Sequence, residues 1–138
     1  MTDSAIIEAD VNKLLGLKPK KPIVWHEQLL KGLPLKSLKS FEQKSGLDKQ
    51  LVRVLVGVSN RSQVLILPVA GSERLHQLAR LTSLATRLFD GDRSAAITWL
   101  NSPARSFSNE TPLSRAKTYV GVQQVEDLIG RLEHGVFS

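Results

Sequence analysis

From Ser72 to Asp90 the chain runs without a glycine or a proline, and its apolar residues Leu75, Leu78, Ala79, Ala85, Leu88 and Phe89 fall on one broad helical face. No other stretch constrains the fold as strongly. A helix of that length must bury its stripe against further elements. Ser72 is placed to cap it, Glu73 suits the first turn, and Gly91 ends it.

The flanking segments are shorter but follow the same period. Met1–Leu17 predicts a helix with Ile6, Ile7, Val11, Leu14 and Leu15 on one side, broken by Lys18-Pro19-Lys20-Lys21-Pro22. Ile23–Lys31 predicts another, ended by Gly32 and Pro34. Leu35, Leu38 and Phe41 stripe the segment up to Gly46. After Gly91, Asp92–Asn101 predicts a helix with Ala95, Ala96, Trp99 and Leu100 inward. Thr111-Pro112 starts the next, with threonine as cap and proline at the first helical position. Its apolar positions are Leu113, Ala116 and Val120, and Gly121 closes it. Val122–His134 predicts the last helix, with Val125, Leu128, Ile129 and Leu132 at helical spacing and Gly135 as its stop. The expected fold class is all-α.

The middle of the chain reads in two ways. Leu51–Val58 and Val64–Val69 are rich in β-branched residues, and propensity alone gives a β-hairpin turning at Ser59–Ser62. The same residues fit a helix-turn-helix over Leu47–Leu67. Val52 and Val56 would face the core, Gly57 would make the turn, Val58 would plug it, and Ser59 would cap a second helix with Ile66 inward. Asn60, Arg61, Ser62 and Gln63 would then lead a recognition helix, with Arg61 suited to guanine and Gln63 to adenine. Lys36, Lys39, Lys44 and Lys49 would contact phosphates.

Charge points the same way. Of the net +6, residues 1–71 carry 11 Lys and Arg against 6 Asp and Glu, whereas residues 72–138 carry 8 against 7. The first half therefore attracts polyanions, nucleic acid first among them; a plain solvated lysine surface is the alternative. No apolar run approaches the roughly 18 residues that a membrane helix needs, and Met1–Asp10 is acidic with no secretory core. The expectation is a soluble, cytoplasmic protein without a membrane role.

Enzymatic chemistry finds no motif. There is no cysteine and no phosphate-binding glycine loop. The three histidines, His26, His76 and His134, lack a partner at helical ligand spacing. No catalytic residue, metal site or cofactor is expected. Trp99 reads first as core packing and second as a partner anchor. Trp25 packs either the N-terminal arm or a dimer contact.

Gly32-Leu33-Pro34, Gly57-Val58-Ser59-Asn60-Arg61 and Ser72–Leu88 together resemble the Xre-like helix-turn-helix half of an antitoxin family. Ala96-Ile97-Thr98-Trp99-Leu100-Asn101-Ser102-Pro103, Thr111-Pro112-Leu113, Thr118 with Gly121, and Val125…Leu128…Leu132-Glu133-His134-Gly135 resemble its toxin-binding half. The family is the Xre/MbcA/ParS group, the antitoxins of RES–Xre toxin–antitoxin pairs. The chain departs from the family pattern in its recognition segment. Gln63 stands where an apolar plug is usual, Leu65 and Ile66 where arginines are common, and Arg53 where the first helix usually has a small residue.

The resemblance implies three parts: an N-terminal arm over 1–31, a helix-turn-helix domain over 32–91, and a toxin-binding domain over 92–138. It implies an antitoxin that forms a homodimer, binds a cognate RES-domain toxin that degrades NAD, and binds operator DNA to repress its own operon. The alternative is a helix-turn-helix regulator without a toxin partner. The DNA-binding residues would be Lys49, Ser59, Asn60, Arg61, Ser62 and Gln63. Toxin contacts would come from Glu126, Asp127, Glu133, His134, Gly135, Val136, Phe137 and Ser138. A short tail with an aromatic ring and a carboxylate suits a concave pocket made for NAD; simple fraying is the other reading.

Overall fold

The computed structural model describes residues 3–135. Among them are eight α-helices and one 3-10 turn, with no strand beyond a single isolated bridge. The all-α expectation holds. No helix among the described residues is long and apolar enough to cross a membrane. Val136, Phe137 and Ser138, expected at the toxin, lie outside the described residues. The chain divides into two compact units, Met1–Arg80 and Leu81–Ser138.

The first unit contains α1 (Asp3–Leu14), α2 (Trp25–Lys31), α3 (Leu35–Ser45), α4 (Lys49–Val56) and the first part of α5 (Val69–Leu88). Its core holds Leu14, Leu15, Leu33, Leu38, Phe41, Val52 and Leu75, all essentially buried. Ile6, expected inward, is half-exposed. The end of α1 is seated on α3, where the Ser40 hydroxyl donates to the Leu14 carbonyl at 3.0 Å. Trp25 is half-buried against the N-terminal arm and α5. Its Nε1 donates to Glu8 at 2.8 Å, and its ring lies 4.2 Å from that of His76 on α5. Burial, then the charge of Arg80, lowers the His76 pKa to about 4, so this imidazole is neutral near pH 7.

α4 is helical where strand propensity competed. Asp48 caps it by accepting from the Leu51 N–H at 3.0 Å, and Gly57, at φ +81°, ends it in the left-handed region. The helix expected to start at Ser59 is not there. Residues 59–62 make one turn, closed by the Ser62 N–H on the Ser59 carbonyl at 3.1 Å. Beyond it the chain is extended, and Ile66 forms an antiparallel bridge with Pro34. The physical reasons are two. Leu67 precedes Pro68, and the proline ring disfavours the helical region at the residue before it. The extended path also satisfies backbone groups: the Leu67 N–H donates to the Leu33 carbonyl, and the Leu35 N–H to the Leu65 carbonyl, each at 2.8 Å.

This arrangement explains Gly32. It sits at φ +89°, and an added Cβ would lie 2.4 Å from the Leu67 carbonyl oxygen. It also corrects the start of α5. The helix begins at Val69, so Ser72 lies inside its first turn and is fully buried. Its hydroxyl accepts from the Leu33 N–H at 2.7 Å and faces the Leu67 carbonyl at 3.4 Å.

The second unit takes the rest of α5, then α6 (Arg93–Leu100), a 3-10 turn at Arg105–Phe107, α7 (Pro112–Arg115) and α8 (Tyr119–Glu133). Each α-helix from α6 onward has a side-chain cap. Asp92 accepts from Ala95 N–H, Thr111 from Ser114 N–H and Thr118 from Gly121 N–H, at 3.0, 3.0 and 2.9 Å. Leu100, Leu113, Val125, Leu128 and Ile129 fill the core. Gly121 does not close the third helix as expected. It lies in the first turn of α8, where a Cβ would collide with the Arg115 carbonyl oxygen. Because α7 is only four residues long and α8 restarts at Thr118, Val120 points outward instead of inward.

Candidate functional site

In the first unit, five of the six candidate DNA-binding residues, Ser59–Gln63, follow one another on a loop and not on a helix. Lys49 opens α4 and is exposed, as are Ser59, Asn60, Arg61 and Gln63; Ser62 is half-buried. The Ser59 hydroxyl accepts from the Arg61 N–H at 3.1 Å, fixing the turn from within. Arg53, sited where a small residue was expected, does the same from below. It is 8% exposed and forms a two-pronged ion pair with Glu42 at 2.9 and 3.0 Å. Its remaining nitrogen reaches the Ser59 carbonyl at 3.4 Å. The loop stands between two open hollows of about 430 and 320 Å³. Beside it Leu65 is 78% and Ile66 53% exposed.

In the second unit, the outer face of α8 carries the described toxin-binding candidates. Asp127 is exposed and lines a hollow of about 250 Å³ with Ser106, Phe107, Arg115, Gln124 and Arg131. Arg115 is held firmly there. Its guanidinium pairs with Glu110 at 2.9 Å, lies 4.8 Å over the Phe107 ring and donates to Gln124 at 3.1 Å. Glu126 is half-buried and has its own interaction partner. Glu133 is gripped by Arg87 through two bonds of 2.8 and 2.9 Å, so it anchors the end of α8. His134 is the C-cap, and Gly135 follows at φ +75°.

Two surface features of this unit differ from the inward packing first expected of Val120 and Trp99. Tyr119 and Val120, at the start of α8, are each 64% exposed. Trp99 is half-buried and not core. It stands 6.5 Å from Phe89, and both rings line an open hollow of about 520 Å³. The signal for the first pair was Thr118, which resets the helical register. For Trp99 there was no local signal, since a half-buried and a buried tryptophan share one pattern.

Among the described residues no group of three acidic, histidine or cysteine side chains could hold a metal ion. The described residues thus form an all-helical fold whose candidate contact residues stand on the loop after α4 and on α8. Residues 84–135 match the family described as the antitoxin Xre/MbcA/ParS C-terminal toxin-binding domain. The chain is 46% identical over 67 residues to an antitoxin Xre of Yersinia enterocolitica, a match covering 49% of this chain and 45% of that protein. It is 31% identical over 116 residues to an antitoxin Xre of Photorhabdus laumondii, covering 80% of this chain and 78% of that one. The chain belongs to the Xre antitoxin family.

Proposed function

We propose that this chain neutralises a RES-domain, NAD-degrading toxin in the cytoplasm by covering the toxin's active site. The observation that carries the reading is the second unit itself. Residues 84–135 match a toxin-binding domain and form a capped helical body with exposed Tyr119, Val120 and Asp127 on its surface. The Arg87–Glu133 pair fixes the end of α8, from which residues 134–138 enter the toxin pocket. No catalysis by the antitoxin is required. Contact alone suffices when the occluded pocket is the one that binds NAD.

The chain also acts as a homodimer that represses its own operon, presenting Asn60 and Arg61 to operator DNA from the loop. The exposed Leu65 and Ile66 beside that loop supply apolar surface for pairing two copies.

Co-expression with the cognate toxin tests the main reading. The full chain should preserve cellular NAD and growth, and the chain lacking residues 134–138 should fold but protect poorly. Full protection by the truncated chain would remove the tail from the mechanism. Failure of the full chain to bind the toxin, with operator binding intact, would leave a DNA-binding regulator instead.

A further inference from the structure

The lysines of the first unit are not accessories of the Asn60–Arg61 loop. Residues 13–49 hold nine lysines against three carboxylates, an excess equal to the whole protein's net charge of +6. One of those carboxylates, Glu42, is consumed by the buried Arg53. Its position also divides α3 into two sides. Glu42 points towards α4 and the loop, whereas Lys36, Ser40 and Lys44 follow one another at i, i+4 and i+8, roughly 160° away around the axis.

That second side is where α1 ends. Ser40 donates to the Leu14 carbonyl at 3.0 Å, and Lys44 Nζ donates to the Lys13 carbonyl at 2.9 Å. Gly16, at φ +66°, turns the chain so closely over α3 that a Cβ would lie 2.9 Å from the Ser40 hydroxyl. The segment Lys18–Lys21 therefore begins two residues after the point where the chain touches Ser40. Lys13, Lys18, Lys36 and Lys44 are all exposed; Lys36 and Lys44 lie one helical turn either side of Ser40, and Lys13 and Lys18 flank the Leu14–Gly16 segment that meets it. Lys44 keeps two further ammonium protons after its bond to the carbonyl.

We propose that this face is a binding site for the phosphate backbone of duplex DNA, separate from the loop and indifferent to base sequence. Lys36 and Lys44 are about 12 Å apart along α3, comparable to the width of a major groove, so they can reach phosphates on both of its walls. A bilayer fits less well. The large exposed apolar residues of the unit are Ile6, Val24, Leu30, Val54, Val64–Ile66 and Val69, and none of them belongs to α3, where Lys36 and Lys44 stand, to enter a lipid surface there. A single strand also fits less well, because the face carries no aromatic ring for bases to stack on; Trp25 is engaged by Glu8 and His76. The site goes beyond operator reading, since it needs no base contact, and it does not depend on the toxin.

Fluorescence anisotropy with the full chain and a random-sequence DNA duplex of about 20 base pairs, between about 50 and 200 mM salt, tests it. Lys36→Gln/Lys44→Gln should lower the salt slope by about 2 and weaken binding about tenfold, while Lys36→Arg/Lys44→Arg retains it. Arg61→Ala should weaken random-duplex binding far less than the double glutamine variant does, and Lys117→Gln, at an exposed lysine of the second unit, should leave it nearly unchanged. Circular dichroism confirms folding of each variant. Four results would overturn the proposal. They are no duplex binding by the wild type, an unchanged slope in the glutamine variant, an equal loss in Arg61→Ala, and loss in the glutamine variant of binding to phosphatidylserine vesicles alone.

Discussion

The loop from Gly57 to Pro68 and the segment from Asp92 to Glu133 are both dense in turns, yet they are built by opposite means. In the second unit every α-helix after Gly91 is started by a side chain three residues from the N–H it satisfies. In the first unit the loop is held from far away: by Glu42 through Arg53, and by Leu33 and Leu35 across a bridge. Local caps are written in consecutive residues. Long-range clasps are not, and there the chain can contradict its own short-range pattern.

The contrast can be broken most severely at Glu42. Glu42→Ala leaves a buried guanidinium without its carboxylate, and about 3–5 kcal/mol of stability should be lost. Amide exchange should show the Gly57–Ser62 turn losing protection with it. Normal protection there would mean that Arg53 does not hold the loop. Gly121→Ala tests the other unit. Its new methyl meets backbone, not a movable side-chain tip, and a loss of about 3 kcal/mol is expected, seen as a lower midpoint in urea melts. Tolerance of alanine would show that α7 and α8 can separate without penalty.

A pH series sharpens the comparison further. His76 has its folded pKa lowered to about 4, so the unfolded chain binds the extra proton first. The stability contributed by neutral His76 is complete above about pH 6.5 and is lost progressively as pH falls towards 4. Thermal melts should therefore show a steeper acid decline in the wild type than in His76→Gln. Parallel declines would remove His76 as the cause. The smallest effect belongs to a single local cap. Thr118→Ala should cost about 1 kcal/mol and fray only the first turn of α8, as proton exchange at Gly121 would report.

These differences explain what could be read from residues alone. The stops and starts at Gly91-Asp92, Thr111-Pro112 and His134-Gly135 were legible because cap, proline and glycine chemistry is local. The stripe of α5 was legible because periodicity survives over its 20 residues. Ser59–Leu67 was not, because a serine followed by polar residues looks like a cap while the partners that keep the chain extended are Leu33 and Leu35. The Leu67-Pro68 step and the strand propensity of Val64–Val69 were the local warnings against a helix there. Of the candidate sites, the exposure of Asn60, Arg61 and Gln63 was legible, but the helix expected to carry them was not there. The engagement of Glu133 by Arg87, and of Glu42 by Arg53, depends on pairings 46 and 11 residues apart.

The buried Ser72 hydroxyl has a consequence for the order in which the chain assembles. It joins the backbone at Leu33 to the start of α5 across 39 residues, and it also faces the carbonyl of Leu67. Such a closure follows the formation of helices that need only neighbours. The loop that carries Asn60 and Arg61 is thus expected to take its shape late. Ser72→Ala should then hasten unfolding much more than it slows folding, and a stopped-flow chevron in which the folding arm moved instead would reverse that order.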